Sequence, residues 1–119
     1  MNNIFIKPKL FTSKVTIGAG GLYPTKEVRV NSKLATILAG YKLTSIEFLS
    51  QNVNDVTINV GTTVSGSDII SSLLITGNMA ISVRKDYIKD NNASSFDLYI
   101  SSTNWNNASL NISIITCKI

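Results

Sequence analysis

The segment Asp55-Val56-Thr57-Ile58-Asn59-Val60 alternates strictly between polar and apolar residues, and no other feature narrows the fold as much. Successive side chains of a strand point to opposite faces, so Val56, Ile58 and Val60 share one face and Thr57 and Asn59 the other. A helix has a period of 3.6 residues and cannot gather these three apolar side chains into one stripe. The run breaks at Gly61 into small residues and resumes as apolar chain at Asp68-Ile69-Ile70. Gly61 to Ser67 contains no lysine, acid or histidine. It therefore reads as a tight connection between two strands, and not as a reactive loop.

The same signature recurs along the chain. Phe96-Asp97-Leu98-Tyr99-Ile100 and Leu110-Asn111-Ile112-Ser113-Ile114 alternate as cleanly, and Lys26 to Val30 alternates charge with valine. Asn3 to Lys7, Lys14 to Ile17, Lys42 to Ser50, Ile69 to Ile75 and Met79 to Arg84 are further strand segments. Turn residues separate them at Asn31-Ser32, Gln51 to Asn54 and Thr76 to Asn78, in a polar loop from Lys85 to Ser95, and at Ser101 to Asn107. One stretch departs from the pattern. Leu34, Ile37, Leu38 and Tyr41 have helical spacing, with Ser32 as a cap and Gly40 as a stop, so a short turn of helix is expected there. The alternative at that point is a strand entering the next one.

About eight short strands at the spacing of a sandwich or barrel predict an all-β fold. The expected form is an antiparallel, jelly-roll-like β-sandwich with an N-terminal arm. Composition agrees: Ser, Thr and Asn number 15, 11 and 13 of 119 residues, and Ile, with 16, is the commonest apolar type. Such β-branched and turn-forming residues favour sheet over helix. The length suits one core. The expected division is residues 1–25 as an arm or leading strands and residues 26–119 as a single sandwich domain. Gly18-Ala19-Gly20-Gly21 marks a link or sharp turn near the end of the arm. It lacks the lysine and the strand-to-helix setting of a phosphate loop.

Charge divides unevenly. Residues 1–42 carry Lys7, Lys9, Lys14, Lys26, Arg29, Lys33 and Lys42 against Glu27 alone, whereas the remainder is slightly acidic. A basic third of this kind grips an acidic surface or stays a scattered solvated face. The basic residues are single and lack aromatic interleaving, so no specific nucleic-acid partner is expected. No secretion signal is read at the N-terminus, and no apolar run is long enough to span a bilayer. A chain made in a reducing cytoplasm, with no membrane partner, is expected. Cys117 lies in an apolar end segment and is expected to be a buried small hydrophobe.

The chain contains no histidine and one cysteine. That removes the Ser-His-Asp and Cys-His arrangements, thiolate clusters and the commonest zinc ligands. Asp86, Asp90, Asn91 and Asn92 lack the spacing of a calcium loop and read as a solvated turn. Glu47 and Asp97 are too weakly linked to be argued as a carboxylate pair. No enzyme activity, cofactor or metal is expected. One candidate binding loop remains. Trp105, flanked by Asn104 and Asn106, has the indole face and amide donors from which glycan sites are built. Its alternative role is to cap one end of the core or fill a subunit contact.

Val56-Thr57-Ile58-Asn59-Val60-Gly61-Thr62-Thr63, followed by Gly66-Ser67-Asp68-Ile69-Ile70, resembles a texture found in small structural proteins of tailed bacteriophages. Phe96-Asp97-Leu98-Tyr99-Ile100-Ser101-Ser102 and Trp105-Asn106-Asn107-Ala108-Ser109-Leu110-Asn111-Ile112 extend the likeness, which spans residues 43–119. Those β-sandwich or jelly-roll domains decorate capsids, form head fibres or build tail tips. The resemblance implies a non-enzymatic virion component assembled in the bacterial host cytoplasm. Its partners would be itself, as a homotrimer, and other virion proteins. Attachment would run through Lys7, Lys9, Lys14, Lys26 and Arg29. The alternative function is a carbohydrate- or receptor-binding module in which Trp105, Asn104 and Asn106 contact a surface glycan.

Overall fold

A computed structural model of the chain describes residues 10–17, 26–29, 31–90, 94–104 and 109–118. Among them the regular elements are nine strands: β1 (Leu10–Ile17), β2 (Lys26–Arg29), β3 (Ser32–Ile37), β4 (Tyr41–Gln51), β5 (Val53–Gly61), β6 (Ile70–Gly77), β7 (Ala80–Tyr87), β8 (Phe96–Ser101) and β9 (Ser109–Lys118). They form a five-stranded sheet in the order β2-β1-β9-β4-β7 and a four-stranded sheet in the order β3-β8-β5-β6. The all-β sandwich expected from the sequence is present.

Pairing is antiparallel throughout the described strands except between β1 and β9, which run parallel. Since β2 is antiparallel to β1, β2 is also antiparallel to β9. With β1 set aside, β2-β9-β4-β7 and β3-β8-β5-β6 are the two four-stranded sheets of a jelly roll. β1 is therefore an additional strand inserted between β2 and β9.

The alternating residues explain the core. Val56, Ile58 and Val60 of β5, Leu98 and Ile100 of β8, and Ile112 and Ile114 of β9 are all buried. They meet Leu43, Ile46 and Phe48 of β4 and Leu34 and Ile37 of β3 in one contiguous cluster. Each such side chain contributes roughly 1.5–3 kcal/mol by leaving water. Tyr87, at the end of β7, closes one margin of the core by meeting Phe96 edge-on, with ring centroids 4.9 Å apart.

Four expectations need correction. Ser32–Ile37 is a strand and not a turn of helix. A register shift between Lys33 and Ala35 turns both Leu34 and Ala35 inward, and this bulge mimics helical spacing. Gln51 to Asn54 is not a four-residue turn. β4 passes into β5 through Asn52 alone, whose left-handed backbone (φ 55°) makes the corner. β7 runs on to Tyr87, into the segment expected to be loop. Cys117 is exposed, because the inward set of β9 is Leu110, Ile112, Ile114 and Thr116, and residue 117 falls on the opposite face.

Truncating Ile58 to Ala should cost about 3 kcal/mol, since it is fully buried between the sheets. Leu49→Ala, at an outer-face position 57% exposed, should stay within about 0.5 kcal/mol. Urea unfolding of both variants checks the inward register.

Candidate functional site

The strands run between two ends of the sandwich. At one end lie the Leu38–Gly40 turn, the β5–β6 loop and the β7–β8 loop. At the other lie the crossings β2–β3, β4–β5, β6–β7 and β8–β9. Candidate residues are found at both ends and on both outer faces.

Among the basic candidates, Lys14 is in β1, and Lys26 and Arg29 are in β2. Lys7 and Lys9 lie outside the described residues. Register separates the three that are described. Lys14 pairs with Ser113, Ser113 with Glu47, and Glu47 with Ser82, a row on the outer face of the large sheet. Arg29 pairs with Leu10. Lys26 pairs with Ser13, whose row continues through Ile112 and Phe48. Leu10 and Lys14 are four positions apart, about 13 Å along a strand. Lys14, Lys26 and Arg29 thus lie in separate register rows.

Trp105 and Asn106 of the candidate glycan loop lie outside the described residues. Asn104 is described, and its amide works inside the fold. Its Oδ1 accepts the Thr57 N–H at 2.9 Å and the Ser102 hydroxyl at 3.1 Å, and its Nδ2 donates to the Asp55 carbonyl at 3.2 Å. These bonds hold the β8–β9 turn against the start of β5. The Oδ1 and one amide hydrogen that would serve a sugar hydroxyl are already engaged.

The β5–β6 loop is closed by Asp68. Its Oδ1 accepts the Thr62 N–H at 2.9 Å and its Oδ2 accepts the Thr62 hydroxyl at 2.7 Å. The Gly66 N–H donates to the Thr63 carbonyl and the Ile69 N–H to the Val60 carbonyl. A Cβ on Gly61 would run into the backbone of Gly66 and come within 2.7 Å of Asp68 Oδ1, so the loop folds back where only glycine leaves room. Partial burial opposes ionisation of Asp68. The two Thr62 hydrogen bonds, helped by the Asp68 backbone N–H and the charge of Lys85, outweigh it and hold the carboxyl below its ordinary value. Both oxygens serve the loop's own closure, which fits a structural connection.

A polar group that sequence reasoning missed lies on the outer face of the small sheet. Asp97 Oδ1 accepts the Thr36 hydroxyl at 2.6 Å, Oδ2 accepts the Tyr99 hydroxyl at 3.4 Å, and Lys33 Nζ stands 4.0 Å away. It joins edge strand β3 to β8 across the pairs Thr36–Asp97 and Lys33–Tyr99. Its sequence signal was the polar face of Phe96–Ile100, but the partner strand was not readable. Glu47 and Asp97 occupy outer faces of different sheets, so the structure does not bring that carboxylate pair together. Asp86 is in β7, Asp90 follows it, and Asn91 and Asn92 lie outside the described residues. Among the described residues, no three His, Cys, Asp or Glu side chains converge as a metal set would.

Compared with protein-family models, curated proteins and solved structures, the chain matches none. The molecule is a β-sandwich in which polar side chains such as Asp68, Asp97 and Asn104 hold strands and turns to one another.

Asn104→Ala should lower stability by about 1–2 kcal/mol, because it leaves the Thr57 N–H and the Asp55 carbonyl to find new partners. Denaturant unfolding checks the cost. Asp68→Asn should cost about 1 kcal/mol at neutral pH, a modest figure because the carboxylate is exposed. The folded carboxyl titrates below the unfolded value of about 3.9, so its contribution is present above that pH and is lost as pH falls through the folded value. The difference between wild type and Asp68→Asn should therefore shrink in acid, as followed by unfolding between pH 7 and pH 2.5.

Proposed function

We propose that the chain is a non-enzymatic structural protein of a bacteriophage virion, a jelly-roll module that oligomerises and attaches to the particle through its N-terminal region. The class comes from the likeness of residues 43–119 to the small β domains of tailed-phage particles. One structural observation supports the attachment role most directly. β1, the first described strand, is extra to the eight-stranded sandwich and enters it by parallel pairing with the last strand. A strand inserted beyond the eight of the sandwich fits a segment used for attachment.

Two further observations fit. On the outer face of the large sheet, the central strands β4 and β9 carry Leu49, Asn111, Ser113 and Ile115 beside Glu47, and edge strand β7 adds Arg84 and Asp86. That weakly charged centre suits layered contact between identical subunits better than long-range capture of a charged ligand. In the glycan alternative, Asn104 would have to leave three hydrogen bonds to serve a sugar.

Sedimentation equilibrium of the full chain should give three times the chain mass, and co-expression with a phage that encodes the chain should leave it bound to purified particles. A monomer at high concentration, absent from particles, would overturn the proposal. A glycan array that binds wild type but not a folded Trp105→Ala variant would favour the carbohydrate-binding reading instead.

A further inference from the structure

We infer that Asn59 guards the one sheet edge that carries no charge: its amide holds Ser72 in a left-handed bend that keeps β6 from pairing with further strands. This guard is independent of the attachment role of β1.

An edge strand presents a row of backbone N–H and C=O groups that another strand can pair with. Charged side chains deny that pairing, and among the described residues three of the four sheet edges carry them. They are Lys26, Glu27 and Arg29 in β2, Arg84, Lys85 and Asp86 in β7, and Lys33 in β3. β6 has none. Ile70-Ser71-Ser72-Leu73-Leu74-Ile75-Thr76 runs without a charge, a proline or a glycine, and Ile and Leu make up most of it. Cross-β stacks are built from segments of that composition. Leu74 is 53% exposed, so an apolar side chain already faces outward there.

The strand is kept irregular at one point. Ile58 pairs with Leu73 and Val60 with Ile70, so Asn59 alone stands opposite Ser71 and Ser72. An extra residue of this kind makes a bulge, which bends the strand and interrupts its ladder. Ser72 takes left-handed backbone, with φ 55°. Serine lacks the freedom of glycine in that region, so a contact must hold it there. Asn59 supplies the contact, because its Oδ1 accepts the Ser72 N–H at 2.8 Å. A donor that an incoming strand would seek is thus spent on a side chain of the molecule itself. Farther along, the Thr76 N–H is taken by the Met79 sulfur at 3.2 Å. The regular stretch left between these two points, Leu73 to Ile75, is shorter than the roughly six residues a cross-β stack uses. Ile58 and Val60 on either side of Asn59 are buried, so Asn59 faces outward and can be replaced without touching the core.

The test follows aggregation of the full chain under native conditions, by thioflavin fluorescence and light scattering. Asn59→Ala removes the acceptor. Asn104→Ala is the control, since it removes another outward amide that bonds backbone, but away from β6. With the two variants compared in urea concentrations that give them equal stability, Asn59→Ala should form fibrils after a lag several-fold shorter than the control. Adding Leu74→Lys, which charges the open edge, should return that lag to the control value. Should Asn59→Ala fail to fold, Ser72→Val takes its place: Asn59 stays, but a β-branched residue resists left-handed backbone. Equal lags for the β6 variant and the control at matched stability would overturn the guard. Fast aggregation that Leu74→Lys leaves unchanged would overturn it too.

Discussion

Side-chain hydrogen bonds hold the sandwich together at the end where the β2–β3, β4–β5, β6–β7 and β8–β9 connections change sheet. Four connections cross there, and each would leave backbone groups without ladder partners. Asn31 Oδ1 takes the Ser102 N–H, which ties the β2–β3 corner to the β8–β9 turn. Asn104 ties that turn to the start of β5. Asn78 Oδ1 takes the Asn52 N–H, and the Ser50 hydroxyl bridges the Met79 N–H and the Gly77 carbonyl, so the β4–β5 and β6–β7 corners are bound together. Asn31 and Asn52 also adopt left-handed backbone, which asparagine tolerates better than most residues. The abundance of asparagine thus has a mechanical cause: one residue type turns the chain and satisfies the groups that the turn exposes.

A sandwich held this way still has four sheet edges to protect. β2 carries Lys26, Glu27 and Arg29, β7 carries Arg84, Lys85 and Asp86, and β3 carries Lys33. β6 has no charged residue and exposes Leu74, but it is blunted by other means. Ser72 takes left-handed backbone and turns its N–H to Asn59 Oδ1, and the Thr76 N–H is covered by the Met79 sulfur.

The fold was legible where alternation was unbroken. Asp55–Val60, Phe96–Ile100 and Leu110–Ile114 are strands with the faces read from sequence. It was not legible where a bulge shifts the parity. The shift at Lys33/Ala35 made β3 look helical, and that at Leu43/Ser45 placed Leu43 on the buried side with Ile46 and Phe48. Left-handed Ser72 hid the period of β6 in the same way. The candidate sites were less legible than the fold, because a site depends on strand order and local patterns do not encode that order. Which rows Lys26 and Lys14 occupy is decided by the register of β1, β2 and β9. Whether Asn104 is free for a ligand is decided by β5, 47 residues away at Thr57.

The charge split gains physical meaning from this placement. The basic third holds β1, β2 and β3, whereas β4 to β9 form the slightly acidic remainder. Inserting β1 between β2 and β9 sets the basic segment beside the last strand of the weakly acidic part. The row Lys14–Ser113–Glu47 sets those positions two strands apart. At roughly 10 Å in solvent, unit charges are largely screened at physiological ionic strength. The place of β1 is therefore fixed by its ladders, six pairs to β9 and four to β2, and not by the charge split.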